Sequence, residues 1–432
     1  MENNNLLNRL KLSNPIREIK GKRAVYFTKY SNRDVVVKTF FRKKDYLKEL
    51  SGSLLLKGSS INTPDLISFG KDSKLFYIVF SKLNDSIDIQ QFIMRKDIDL
   101  VEKKLVIEEL LGSNKKLINS NIVQEDNYLK NYLYVNGSIH FIDGGRVKKI
   151  SKIQFIKKIK NFALICSKIP PELQPSNNYL YANNLARMLH NYFVSYYIYR
   201  SICKFQKKSL RNSSDFIHIS KSTELLLGRK NFSFDLKKLD DLPSDGQIIK
   251  DGNTCTVFRY KSFVIKKYNI KSFFHFFSRQ FKKSRGLRSW QISNVFQLVN
   301  LPCPTPVFFY EKRFLFLKLE SYFVSEFIDG EDLMTYSDNH ENDRKVLAKS
   351  LDSSFRKFSY YRFAHGDLKA TNILVNLPSK KIFFVDFDKS YFYRYQNIYN
   401  YVIHKQIKRF FLNWKTSSKF VLMLKKTFKE NK

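Results

Sequence analysis

The sequence predicts an α+β chain made of two tandem domains, residues 1–215 and 216–432. Each is expected to have a β-rich N-terminal lobe followed by a helical C-terminal lobe. Length is the first reason, since 432 residues is long for one domain and natural for two. The second is a set of short motifs that recur in the same order in both halves. Val35-Val36-Val37-Lys38-Thr39-Phe40 echoes Phe263-Val264-Ile265-Lys266-Lys267-Tyr268, and Asn62-Thr63-Pro64-Asp65 echoes Pro304-Thr305-Pro306-Val307. Phe76-Tyr77-Ile78-Val79-Phe80 then echoes the run from Ser321 to Phe327. Third, in each half a region of strand-like alternation gives way to a region of helical spacing.

Residues 15–90 alternate as strands around one helical stretch near 43–57. From 98 to 120, Leu100, Val101, Leu105, Ile107, Leu110, Leu111 and Leu117 recur near helical spacing. A loop at 121–131 and a hairpin at 132–143 follow. Residues 150–166 and 178–210 read as helices broken by Pro170-Pro171 and Pro175. The polar stretch 207–222 is the expected linker. A second β-rich lobe spans about 224–326, and a helix at 344–359 leads into the next loop. At the C-terminus Ile403, Ile407, Phe410, Trp414, Val421, Leu424 and Phe428 share one helical face, and Lys405, Lys408, Arg409, Lys415, Lys419, Lys425 and Lys426 fill the rest. Such a helix can pack its apolar face on a core or lie on an anionic membrane. Few residues remain to build the second C-terminal lobe, which favours core packing.

The loop His365-Gly366-Asp367-Leu368-Lys369-Ala370-Thr371-Asn372 is followed by Ile382-Phe383-Phe384-Val385 and then Asp386-Phe387-Asp388. Phosphoryl transfer needs an Asp to orient the attacking hydroxyl, here Asp367. It needs an Asn five residues on and a second Asp on the next hairpin to hold Mg²⁺ against the ATP phosphates, here Asn372 and Asp386. Asp126, Asn131 and Asp143 repeat the set upstream. A Lys ending a β-branched run can reach the α/β-phosphates, which nominates Lys38 and Lys266. Glu49 is the expected partner of Lys38. Aligning the halves on their Thr-Pro pairs puts Gln291 at the matching place, so Lys266 either lacks a glutamate or draws a partner from elsewhere. Gly21 and Gly252 each precede a strand, as a phosphate-covering loop or simply a hairpin turn would require.

The chain carries 77 basic against 39 acidic residues, a formal net charge of +38. Residues 261–290 hold nine Lys or Arg and no acid. Abundant Lys, Asn, Ile, Phe and Tyr point to a compositional bias, but clustering of this kind also makes an anion-binding surface. Cys166, Cys203, Cys255 and Cys303 have neither zinc-site nor disulfide spacing, which suits a reduced cytoplasm. No signal peptide and no membrane span is expected, so any membrane contact would be peripheral. No nucleic-acid-binding motif accompanies the charge, and no nucleic-acid partner is expected.

On these residues the second half resembles the bacterial lipopolysaccharide core kinases, the Kdo/heptose kinases of the protein-kinase-like superfamily. The matching text is Val264-Ile265-Lys266-Lys267-Tyr268-Asn269-Ile270-Lys271, Ser284-Arg285, Arg288-Ser289-Trp290, Pro304-Thr305-Pro306, Glu311-Lys312-Arg313, and Tyr322-Phe323-Val324-Ser325-Glu326-Phe327-Ile328 with Gly330, followed by the catalytic loop and Val385-Asp386-Phe387-Asp388. The resemblance covers roughly 248–390. The first half, about 15–200, looks like a divergent member of the same group. It carries Gln124-Glu125-Asp126 where the second half has His365-Gly366-Asp367, so the His that packs under the loop is missing there.

The resemblance implies two bilobal protein-kinase-like domains, ATP and magnesium as cofactors, and an inner-core sugar as acceptor. The expected catalytic residues are Asp367 and Asp126, the nucleotide-binding residues Lys266, Lys38, Glu49 and Gly252, and the metal-binding residues Asn372, Asp386, Asn131 and Asp143. The expected partners are the lipopolysaccharide core oligosaccharide or a lipid A precursor and the anionic inner-membrane surface. The expected location is the cytoplasm, peripheral at that membrane. The alternatives are a Ser/Thr protein kinase and a partly non-catalytic scaffold of envelope assembly. Asp388, where protein kinases have a glycine, and the absence of an Ala-Pro-Glu segment weigh against the first.

Overall fold

Strand Arg33–Phe40 runs through β-branched residues that favour a pleated, half-buried surface, and it forms the centre of the first sheet. The computed structural model describes residues 14–432, apart from 73–74, 176–182, 233, 240, 242–245, 271–275, 278–279, 415–417 and 431–432. The chain divides into two units, Met1–Tyr197 and Ile198–Lys432.

In the first unit, Arg33–Phe40 lies between Arg23–Tyr30 and Leu75–Ser81 in a five-stranded antiparallel sheet. Lys38 stands opposite Val25 and Ile78 in the two neighbouring strands. Helix Lys43–Lys57 packs on the sheet and on strand Val147–Lys149. The helical part is built round Leu100–Asn119, whose start is fixed by Asp99: its carboxylate accepts from the Glu102 N–H at 2.7 Å. Val106, Ile107, Leu110, Leu111 and Leu117 are in the core. Leu100, Val101 and Leu105, expected on the same face, are exposed, because this helix reaches the core cluster only from its second turn.

The second unit has a seven-stranded antiparallel sheet. Its spatial order is Phe216–Ser220, Glu224–Arg229, Pro306–Phe314, Leu317–Glu326, Phe263–Tyr268, Cys255–Tyr260 and Gln247–Lys250. Helix Arg285–Leu298 crosses it, with Trp290, Val295 and Phe296 fully buried. Below lie helices Leu333–Asn339, Arg344–Tyr361, Gln396–Phe411 and Lys419–Glu430.

By packing, the chain divides at 197/198, inside helix Asn184–Lys208, upstream of the expected boundary at 215/216. The reason is packing: Ser209 accepts the Trp290 indole N–H at 3.0 Å, and the polar linker candidate folds partly into the edge strand Phe216–Ser220. The C-terminal amphipathic run is two helices rather than one. Phe410, Trp414, Phe420, Val421 and Leu424 are buried in the same core as helix Arg344–Tyr361, so core packing takes the apolar face. Lys415 and the side chain of Phe428 lie outside the described residues. No helix among the described residues is long and apolar enough to cross a membrane.

Candidate active site

In the second unit the strand-end Lys266, the loop Asn372 and the hairpin Asp386 line one cleft, and Asp367 is joined to Asn372 through its backbone carbonyl. A cleft of about 430 Å³ is lined by Lys266, Phe323, Glu326, Asn372 and Asp386, with Gly252 at its rim. That volume lies within the range of small-molecule pockets. The Lys266 ammonium donates to Asp386 Oδ1 at 2.9 Å. Burial pushes the Asp386 carboxyl up, but Lys266 beside it more than compensates and holds it below the ordinary aspartate value. Asp386 therefore stands ionised in the cleft at neutral pH.

The loop 365–372 is tied down from several sides. The Asn372 amide donates to the Asp367 carbonyl at 2.7 Å, which leaves its Oδ1 as an oxygen donor. His365 is completely buried, and its Nε2–H donates to the Val385 carbonyl at 2.9 Å, joining the loop to the strand that delivers Asp386. Burial lowers the His365 pKa to about 4, so the ring is neutral. Gly366 has φ +82°, and a Cβ there would lie 2.1 Å from the Lys389 carbonyl oxygen, so only glycine fits. The Asp367 carboxylate faces two cations. Arg409 is 3.1 Å from Oδ1 as an ion pair without hydrogen-bond alignment, and Lys369 is 3.3 Å from Oδ2.

Among the described residues Lys266 has no glutamate partner. Gln291 is buried and donates instead to the Gln206 carbonyl at 3.3 Å. The face of helix Arg285–Leu298 turned to the cleft carries Arg285, Ser289 and Ser293, one helical turn apart. Arg285 Nε donates to Asp388 Oδ2 at 2.5 Å, and Arg288 donates to the Asp388 carbonyl at 2.9 Å. The helix is thus joined to the 386–388 turn through Asp388 rather than to the sheet lysine. Burial, and then Asp386, push the Asp388 carboxyl up against the opposing pull of Arg285. Sequence reading missed Arg285, Arg288, Asp388 and Arg409 as parts of the site. The basic pair three residues apart and the second Asp of Asp-Phe-Asp were the available signals.

The first unit assembles the corresponding residues differently. Lys38 pairs with Glu49 and also donates to the Ile142 carbonyl at 2.9 Å. The Asn131 amide donates to the Asp126 carbonyl at 2.7 Å, the same bond and length as in the second unit. Burial would raise Asp143, but Lys38 and Arg23 hold it at about 2. Arg23 lies 3.5 Å from Asp143 and 3.7 Å from Glu49. The brace expected to be missing is present in another form: buried Gln124 donates from its amide to the Asp143 carbonyl at 2.9 Å. A cavity of about 240 Å³ lies between Lys22, Arg23, Glu49, Asp126 and Asp143.

No curated protein matches the chain. Residues 250–410 match the model of the lipopolysaccharide kinase (Kdo/WaaP) family. That span runs from the Gly252 turn past the Asp386 strand end and through Arg409, and so contains every residue placed around the larger cleft except those of the edge strands. The matched span of the second unit is thus similar to the lipopolysaccharide kinase (Kdo/WaaP) family, which indicates a kinase.

Proposed function

We propose that the protein transfers the terminal phosphoryl group of ATP to a hydroxyl of a Kdo or heptose residue in the lipopolysaccharide inner core, working at the cytoplasmic face of the inner membrane. The observation that carries this reading is that Lys266, Asn372 and Asp386 line one cleft within the matched span, with Asp367 tied to Asn372 through its backbone carbonyl. In the mechanism, Asp367 accepts the hydrogen bond of the acceptor hydroxyl and orients it. Lys266, now paired with Asp386, holds the α/β-phosphates. Mg²⁺ commonly takes one or two protein oxygens and completes its shell from phosphates and water. Ionised Asp386 and the Oδ1 of Asn372 fit that demand and would hold it, the ion neutralising charge on the phosphates. Positioning and charge neutralisation supply most of the rate in such transfers.

Arg409 and Lys369 flank Asp367, which suits an acceptor that itself carries carboxylate or phosphate. The basic surface suits the same acceptor and the anionic membrane in which it is embedded. We read the first unit as a second protein-kinase-like domain in tandem. It supplies Lys38 and Glu49 for nucleotide, Asn131 and Asp143 for metal, and Asp126 for the hydroxyl. Gln124 takes the bracing part.

The test is mass spectrometry of core oligosaccharide together with transfer assays on purified core. Asp367→Ala is expected to lower transfer by about 10²-fold or more, and cells carrying only that variant are expected to lack one core phosphate. Near-normal turnover by Asp367→Ala overturns the assignment. Phosphate transfer to protein, with unchanged core, would instead favour a Ser/Thr protein kinase.

A further inference from the structure

The hairpin joining strands Pro306–Phe314 and Leu317–Glu326 ends in a two-residue turn, Leu315-Phe316. Both residues have positive φ, +46° and +71°. A turn of this kind demands left-handed backbone at both positions and selects Asn, Asp or Gly. The same chain obeys that rule elsewhere: Ser31-Asn32 and Asn136-Gly137 make turns with the same pair of positive φ values. At 315–316 two bulky apolar residues bear the steric penalty instead.

They gain nothing from burial within the protein. Phe314, Leu315 and Phe316 are 62 %, 69 % and 68 % exposed, and Leu317 is exposed too. Four consecutive large apolar side chains thus project from one tip. A fifth joins them from a neighbouring segment, Phe281, which is 90 % exposed. That segment is fastened to the hairpin base. The Gln280 amide donates to the Lys318 carbonyl at 3.0 Å, and Gln280 Oε1 accepts from the Lys318 N–H at 2.7 Å. The Lys318 ammonium donates to the carbonyls of Gln280 and Lys282 at 2.9 and 2.8 Å. Next to Phe281 stand Lys282 and Lys283, both exposed. The opposite flank is anchored by the Phe316 N–H on the Ser222 carbonyl at 3.1 Å and the Arg313 N–H on the Thr223 carbonyl at 2.7 Å. The tip is therefore a fixed projection, apolar at its point and basic at its shoulder.

We propose that this tip, Phe314 to Leu317 with Phe281, inserts into the interfacial layer of an anionic membrane while Lys282 and Lys283 contact lipid headgroups. The chemistry singles out lipid over a protein partner. Phe and Leu at a point, with lysines set behind them, match the apolar interior and anionic surface of a bilayer in depth order. A turn that pays backbone strain to display apolar side chains fits a functional role for those side chains. The inference rests on the reading of the enzyme as membrane-surface bound and assigns that contact to one element. It does not depend on which sugar is phosphorylated.

The experiment uses the full chain and the double variant Leu315→Asn with Phe316→Gly, which installs the turn solution the protein already uses at 136–137. Removing strained residues should leave the melting temperature unchanged or raise it, so loss of binding cannot be ascribed to unfolding. Wild type should co-sediment with phosphatidylglycerol-containing vesicles, weakly with phosphatidylcholine alone, and less as salt rises. The double variant should bind at least tenfold more weakly, with transfer to water-soluble deacylated core unchanged. In a separate Phe316→Trp protein, the new indole should shift its emission to the blue on adding the anionic vesicles. Wild-type vesicle affinity in the double variant, or an unshifted emission from the introduced indole, overturns the proposal. So does a self-association of wild type that the double variant loses without any vesicle binding. Absence of core phosphorylation in all proteins, with the vesicle results as expected, would refute the sugar-kinase reading and leave this one standing.

Discussion

Replacing His365 with glutamine isolates what this buried ring contributes, because the first unit already shows the replacement at work in Gln124. His365 is fully buried among Phe363, Phe384 and Phe387, and its Nε2 bonds the Val385 carbonyl. Protonation would strand an imidazolium there. Asp386 and Asp367 favour the charge and Lys266 opposes it, but burial dominates and sets the pKa at about 4 against the ordinary 6.5. Because the folded value lies below the unfolded one, the stability this group supports is complete above pH 6.5. It is lost as pH falls, since the unfolded chain takes up the proton first. One pH unit corresponds to about 1.36 kcal/mol, so wild type should lose about 2.5 kcal/mol by pH 4.5 through His365 alone. His365→Gln keeps a donor for the Val385 carbonyl and removes the titration. At pH 7 it should cost about 1–2 kcal/mol, from lost ring packing. By pH 4.5 it should equal or exceed wild type. His365→Ala, which leaves a buried carbonyl unpaired as well as a cavity, should cost about 3 kcal/mol or more at pH 7. Urea unfolding followed by tryptophan fluorescence reads this directly: the chain has two tryptophans, Trp290 and Trp414, and both are buried in the second unit. Parallel pH profiles for wild type and His365→Gln would refute the buried neutral brace.

Other perturbations test the joints on either side of it. Arg285→Met leaves the buried Asp388 carboxylate without its guanidinium. The pair is buried on the aspartate side and partly exposed on the arginine side, so about 2 kcal/mol should be lost at pH 7, between the values for exposed and buried pairs. Asp388, already pushed upward, then takes a proton more readily, so the loss should shrink toward pH 5. Adding Asp388→Asn should restore most of it, and a double-mutant cycle in thermal unfolding measures the coupling. Failure of that rescue would remove the pair from the account. In the first unit, Mg-ATP titrated by calorimetry against the full-length Lys266→Met protein, in which the nucleotide site proposed for the second unit is disabled, should still show binding. Adding Lys38→Met or Asp143→Asn should abolish it. A signal that survives those changes would place the nucleotide elsewhere.

The architecture was legible in the sequence because its cues are local. β-branched runs ending in Lys38 and Lys266, the 3.6-residue spacing from Ile107 to Leu117, and the prolines after Cys166 specify strand, helix and break within a few residues. The spacing of Asp367, Asn372 and Asp386 was legible for the same reason, since a loop and a tight hairpin leave the chain few ways to place them. The family resemblance drawn from the 248–390 region agrees with the match over 250–410.

What the sequence could not yield are relations between residues far apart in the chain. Arg285 and Asp388 are separated by 103 positions, and nothing local to either announces the other. Gln124 replaces a histidine in the loop, but its bond to the Asp143 carbonyl exists only because folding brings a chain separation of 19 residues back on itself. Leu100, Val101 and Leu105 keep helical periodicity yet face solvent, because periodicity defines a face and only packing decides where along the helix a neighbour covers it. The same holds for Leu315 and Phe316. In sequence they continue an apolar strand, whereas the register of Phe314 against Leu317 puts them at a turn in open solvent. Local sequence determined which elements form and which residues the loop and hairpin present, because propensity and short-range spacing act along the chain. The tertiary structure decided which charges pair and which apolar groups stay outside, because both depend on distances that only the closed fold sets.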